Sequence, residues 1–195
     1  MRKQFIQSFF NTNDGIVRTK QLREAGFTHY QLNRLIQSGQ VLKVKQGVYK
    51  LNNSDRSELT EVARIVPQGV FCLYTACQYY QLTTFVASAY HLAISKKSKV
   101  VLPAYPPIKL YYWETVAYQT GRTEIKPEGV PIPIYDLEKT VCDVIRQRNK
   151  VGLDLVKEVV TTYLQRTDRN LARLVEYADE LGLKNYVSTY LDLLV

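Results

Sequence analysis

Tyr30, Asn33, Arg34 and Gln37 carry the donors and acceptors that hydrogen-bond to base edges, and they recur at helical spacing. At about 100° per residue they share one side of a helix over residues 28–38, with Leu32, Leu35 and Ile36 on the other. Asn and Gln can each bridge two groups of adenine in the major groove, and Arg can bridge two of guanine. His29 and Gln31 flank this stripe near the helix N-terminus, the end that approaches bases in helix-turn-helix proteins. Polar stripes of this kind cover many solvated helices, so its meaning depends on the elements around it.

Other constellations invite a catalytic reading. Glu124-Ile125-Lys126 has the acid-x-lysine spacing of metal-dependent nucleases, in which carboxylates hold Mg²⁺ and the lysine assists the attacking water. A further acid is needed upstream, yet no Asp occurs between Asp55 and Asp136, which leaves Glu114. An exposed strand of alternating charge accounts for Glu124 and Lys126 equally well. Asp136 has the place of a helix N-cap, and Glu138 follows in the positive first turn. His91 has no Cys or Asp nearby in the chain to complete a triad, and no glycine-rich phosphate loop is present. Cys72, Cys77 and Cys142 are odd in number, and the first two read as positions inside one apolar helix. They read as buried, reduced thiols rather than a disulfide framework or zinc cluster. The expectation is a protein that is no enzyme, with no catalytic centre, cofactor or metal.

The elements around the stripe form a pattern. Phe5, Ile6, Phe9 and Phe10 share a face of a helix over residues 3–10, and Asn13-Asp14-Gly15 signals a turn before a short strand at Ile16-Val17. Thr19 is placed to cap a helix over residues 20–25, closed by Gly26. Thr28 and Gln31 then have the spacing of a capping box opening the next helix, which ends at Gly39. Two short helices joined through a glycine make a helix-turn-helix, and the hairpin expected over residues 41–51, turning at Gly47, supplies a wing. In that wing, alternation sends Leu42 and Val44 inward and Lys43 and Lys45 outward, with Gln46 at the tip, suited to phosphate or minor-groove contact. Arg18 and Lys20, with Thr19 at the start of a helix, offer a phosphate clamp.

The charge follows the same division. The net charge is +8, and residues 1–56 hold ten basic against three acidic side chains while the remainder holds sixteen against fifteen. Positive charge confined to one module attracts a polyanion. Residues 52–55 read as a linker, giving a DNA-binding domain over 1–52 and a second domain over 57–195. The second is expected to carry helices over 58–66 and 71–82, strands over 91–95, 100–102, 110–114, 123–126 and 132–135, and helices over 136–148, 154–166, 170–181 and 186–194. The fold class is therefore α+β: a winged helix-turn-helix followed by a mixed α/β domain with terminal helices. Tyr74, Tyr79, Tyr80, Tyr111, Tyr112 and Trp113 read as packing, with a protein or single-strand stacking surface as the alternative. Leu171, Leu174, Val175, Ala178 and Leu181, and then Tyr190, Leu191, Leu193, Leu194 and Val195, make apolar stripes that read as core, the terminal ones offering a dimer contact. Neither a signal peptide nor a membrane span is indicated, which predicts a cytoplasmic protein.

The segments Gly15-Ile16-Val17 to Leu22, Gly26 to Leu32, Leu35, Gly39 and Gly47-Val48-Tyr49 resemble the N-terminal domain of AbiEi-type antitoxins, transcriptional regulators of type IV toxin–antitoxin (abortive infection) systems. The resemblance extends to Leu73-Tyr74-Thr75-Ala76 with Tyr79-Tyr80-Gln81-Leu82-Thr83, and to residues 135–143 (YDLEKTVCD). It implies binding to inverted repeats in double-stranded DNA ahead of the protein's own operon, repression of that operon, and a nucleotidyltransferase-like toxin as functional partner without a stable complex. It places DNA contact on the helix over residues 28–38 and on the wing, and maps no antitoxic residue.

Overall fold

In the computed structural model, which describes residues 2–13, 15–52 and 57–194, apolar side chains recurring at threes and fours mark the longer helices, while the strands are short and several are buried along most of their length. The chain divides into two units: Met1–Pro67 with Val100–Pro106 and Lys126–Pro131, and Gln68–Lys99 with Pro107–Ile125 and Ile132–Val195. The expected linker falls largely on residues 53–56, outside the described residues.

The first unit runs α1 (Arg2–Thr12), β1 (Ile16–Arg18), α2 (Thr19–Glu24), α3 (His29–Gln37), β2 (Val41–Lys45), β3 (Val48–Leu51) and α4 (Glu58–Ile65). Its strands pair antiparallel in the order β1-β3-β2. Phe10, Val17, Leu22, Leu32, Leu35, Val41 and Tyr49 form the core beneath them. Gly26 joins α2 to α3 with φ at +83°, a left-handed conformation that other residues adopt only at a cost. The sequence placed Thr19 at the cap of α2, but Arg18 occupies it, and the Arg18 N–H donates to Gln21 Oε1 at 2.8 Å.

The second unit contains β4 (Val70–Phe71), α5 (Leu73–Tyr79), β5 (Tyr90–Ser95), β6 (Ile108–Trp113), α6 (Thr115–Gln119), β7 (Arg122–Ile125) and β8 (Ile132–Tyr135). Helices α7 (Leu137–Arg146), α8 (Arg148–Val151), α9 (Leu153–Gln165), α10 (Leu171–Glu180) and α11 (Lys184–Leu194) complete it. The sheet is mixed, in the order β6-β5-β4-β8-β7, with β5/β6 and β4/β8 parallel and the other neighbours antiparallel. The helix expected over residues 71–82 begins only at Leu73, because Phe71 pairs with Leu92 and Ile134. A short, wholly buried apolar run gives strand and helix the same signature. Residues 100–102 form no strand, and α6, only five residues long, was not expected.

Helix α7 has nine of its ten residues buried, three of them charged. A buried charge must be paired. Asp143 accepts from Lys139 Nζ at 2.6 Å and from Arg146 Nη2 at 2.8 Å, while Lys139 Nζ lies 4.2 Å from the Tyr135 ring and 4.5 Å from that of Trp113. Burial pushes the Asp143 carboxyl up from its ordinary value and the Lys139 ammonium down. Glu138 accepts from the Asn170 N–H at 2.9 Å and the Tyr163 hydroxyl at 3.2 Å. Asp136 caps the helix as expected, accepting from the Lys139 N–H at 2.9 Å, and its second oxygen accepts from the Tyr177 hydroxyl at 2.9 Å. Gly121 allows this helix start, since a Cβ there would lie 2.4 Å from Lys139 Cβ.

Removing one partner of the buried cluster strands a charge. Asp143→Ala is expected to lower unfolding free energy by about 3–5 kcal/mol, and Lys139→Met with Asp143→Leu to recover part of the loss, both read from urea unfolding. His91 is 5% exposed, its Nδ1 lies 2.9 Å from the Tyr111 hydroxyl, and burial, with the charge of Lys109, lowers its pKa from 6.5 to about 4. Between those values the unfolded chain binds a proton at this position and the folded chain does not, so this contribution to stability is present above pH 6.5 and lost as pH falls towards 4. His91→Phe should flatten the fall in unfolding free energy across that window.

Candidate nucleic-acid interface

Helix α3 starts where its capping box closes: the Gln31 N–H donates to Thr28 Oγ1 at 3.2 Å, and the Thr28 N–H to Gln31 Oε1 at 2.9 Å. Two otherwise orphaned donors are satisfied, so the helix begins at a defined residue. Leu32 and Leu35, 4% and 9% exposed, fix its rotation against the core. His29, Tyr30, Asn33, Arg34 and Gln37 are consequently exposed on the other side, Tyr30 by 75%. Among the described residues no hydrogen bond or ion pair engages the side chains of Asn33, Arg34 or Gln37. Thr28 and Gln31 belong to the same surface but serve first to set the helix start.

The wing departs from simple alternation. A bulge lies between Lys43, opposite Tyr49, and Lys45, opposite Val48. An extra residue in one strand reverses the facing of those beyond it. Leu42, expected to point inward, is 38% exposed, and the side chain of Lys45, expected outward, is engaged within the unit. Its Nζ donates to the Ile65 carbonyl at 2.6 Å and the Val101 carbonyl at 3.4 Å. Arg18 Nη2 reaches the Arg64 carbonyl at 3.4 Å. Arg64 and Ile65 close α4, whose C-terminal carbonyls carry the negative end of the helix dipole and attract cations. Partial burial, and then the like charge of Arg18, lower the Lys45 pKa. Lys50 pairs with Glu61 of α4 at 3.0 Å.

The expected phosphate clamp is mostly committed elsewhere. The Thr19 N–H donates to the Gly47 carbonyl at 2.9 Å, tying α2 to the wing turn, and Arg18 is engaged as above. Lys20 stays 86% exposed, with Glu24 at 3.9 Å. At the wing tip Lys43 Nζ donates to Gln46 Oε1 at 2.8 Å, with both residues exposed. The structure thus leaves the stripe of α3, Lys20, Lys43 and Gln46 open, and gives Arg18, Thr19 and Lys45 partners inside the first unit. Arg23, exposed in the last turn of α2, is a further cation that the sequence reading passed over. Its position in a run of three basic side chains, Arg18, Lys20 and Arg23, was the available signal.

Elsewhere the candidates have structural partners. Glu114 is exposed and ion-paired with Lys96, and Glu124 stands exposed on β7 opposite Pro133. Among the described residues no three His, Cys, Asp or Glu side chains converge as metal ligands, and no helix is long and apolar enough to cross a membrane. Cys72, Cys77 and Cys142 are free and buried. Tyr111 and Trp113 are core, Tyr74 and Tyr80 pack against it, and Tyr79 and Tyr112 are about half exposed. On α10, Leu174 and Ala178 are buried whereas Leu171 and Val175 are exposed. Tyr190 and Leu191 pack against the core; the side chains of Leu193 and Leu194, and Val195, lie outside the described residues.

Residues 4–52 match the family model described as transcriptional regulator, AbiEi antitoxin, and this segment contains α3 and the wing. The family likeness read from the first fifty residues is thereby borne out. No curated protein matches the chain. Among solved structures, the RV2827C protein from Mycobacterium tuberculosis is 10% identical, with 97% of this chain and 80% of that chain covered at a TM-score of 0.48.

The two wing lysines should behave oppositely. Lys45→Met is expected to destabilise the protein by about 1–3 kcal/mol through two lost charge-assisted hydrogen bonds, with the salt dependence of DNA binding unchanged. Lys43→Ala should leave thermal stability within about 0.5 kcal/mol and reduce the slope of log K against log salt by about one. Melting curves and anisotropy titrations at several salt concentrations separate the two.

Proposed function

We propose that this protein is a sequence-specific DNA-binding autorepressor and the antitoxin of a type IV toxin–antitoxin system for phage abortive infection, acting in the cytoplasm without catalysis. The observation that carries the reading is the rotation of α3: its apolar side is locked into the core, and Asn33, Arg34 and Gln37 face outward with no partner among the described residues. Side chains left unengaged on a helix that follows a tight turn are free to enter a major groove. Lys43 and Gln46 at the wing tip, with Lys20 on α2, would hold phosphates and set the register. The match of residues 4–52 to the AbiEi antitoxin regulators supports the same reading.

The operator is an inverted repeat upstream of the protein's own gene, and two chains occupy it, each wing-and-helix module reading one half-site. The functional partner is a nucleotidyltransferase-like toxin encoded in the same operon, countered without a stable complex.

Titration of the upstream duplex and of a scrambled duplex by fluorescence anisotropy tests the proposal. The native duplex should bind more tightly, with two chains per duplex by light scattering. Arg34→Ala or Asn33→Ala should cost about 1–3 kcal/mol on that duplex and relax preference at one base pair. Equal, weak and salt-sensitive binding of both duplexes would refute sequence-specific autorepression.

A further inference from the structure

Between α1 and α3 lies a groove of about 820 Å³, a volume typical of small-molecule sites. Phe5 and Ile6 of α1, Phe27 of the turn, and Tyr30, Arg34 and Leu35 of α3 form its walls. Phe5 and Phe27 lie nearly parallel, with centroids 6.0 Å apart and planes inclined by 20°. Phe5 is nevertheless 56% exposed, an aromatic ring held in place with a face left to solvent. Gly26 leaves the turn side open, since a Cβ there would meet nothing within 4 Å.

Among the described residues, Arg34 is the one charged residue lining this groove, and no acid pairs with it. An aromatic wall and an unpaired guanidinium lining one groove are complementary to a flat ring bearing a carboxylate. The ring stacks on the phenyl faces, and the carboxylate accepts two parallel hydrogen bonds from the guanidinium. A neutral apolar molecule would leave the cation without a partner, and an aliphatic acid would forgo the stacking.

We propose that this groove binds a small planar aromatic carboxylate, and that Arg34 is shared between that ligand and DNA. The second limb rests on the DNA reading of α3; the first does not. One guanidinium cannot hold a carboxylate and a guanine edge together in bidentate fashion, so the ligand weakens DNA binding and, by linkage, DNA weakens ligand binding by the same factor.

The test uses 2-naphthoate as the probe, titrated calorimetrically into the full chain without DNA. Saturable binding to one site is expected, at least tenfold weaker for the neutral 2-naphthamide and at least tenfold weaker in Phe5→Ala and in Arg34→Gln. On the upstream duplex, naphthoate should reduce the affinity of the wild-type chain severalfold. Phe5→Ala, which leaves the α3 stripe intact, should bind DNA normally and be insensitive to naphthoate. Absence of saturable binding, or wild-type affinity retained in either Phe5→Ala or Arg34→Gln, overturns the site. Naphthoate binding that leaves DNA affinity unchanged overturns the sharing of Arg34. A chain that binds naphthoate with the expected dependences but does not prefer its upstream duplex upholds the ligand site and refutes the DNA reading instead.

Discussion

Burial of Leu32 and Leu35 is the constraint from which the rest of the interface follows. Those two side chains set the rotation of α3 about its axis, and the Thr28–Gln31 capping box sets where it begins. With rotation and start both fixed, the outward positions of Tyr30, Asn33, Arg34 and Gln37 are determined before any ligand is considered. Each buried leucine contributes on the order of 1.5–3 kcal/mol relative to exposure, more than a surface contact could offer to turn the helix another way. Gly26 completes the constraint, because the left-handed residue at the turn lets α2 and α3 pack on the same small core.

This part of the molecule was legible in the sequence because its determinants are local. A capping box spans four residues, an apolar helix face repeats within seven, and a turn glycine stands alone. The wing was legible as a hairpin but not in its facing. Val41 takes the buried position, which puts Leu42 outside, and the residue inserted between Lys43 and Lys45 by pairing with β3 turns Lys45 inward. The fate of Arg18 and Lys45 was equally out of reach, since their acceptors are carbonyls at residues 64, 65 and 101. Backbone oxygens leave no mark in composition, and a lysine that caps a helix end looks in sequence like one awaiting a phosphate.

The second unit shows the same division between local and distant causes. The cap at Asp136 and the amphipathic pattern of α9 and α10 are short-range features, and both were expected. The burial of Lys139 was not: the i,i+4 spacing to Asp143 reads as a solvated surface pair, the common case. What distinguishes it is the surroundings of α7, which contacts α5, α8, α9, α10 and α11 and lays Lys139 against Trp113 and Tyr135. Those aromatic rings come from strands that precede the helix, so the enclosure is a property of the topology. Glu138 follows suit, its partners Tyr163 and Asn170 lying well downstream.

Arg34 and Lys45 show what separates a positive charge that builds the protein from one left open to solvent. Both sit in the basic N-terminal segment, and a count of charges treats them alike. Lys45 lies within reach of the C-terminal carbonyls of α4, whose orphaned acceptors gain from a cation, so its charge is consumed within the first unit. Arg34 projects from the middle of α3, where the backbone groups are already paired along the helix, and no acid engages it among the described residues. A guanidinium in that position keeps its full hydrogen-bonding capacity for an outside partner, and its planar fork favours partners that present two acceptors side by side. The positive surface this module leaves open to an outside partner is therefore smaller than its net charge suggests, and consists of the cations that the fold itself leaves unused.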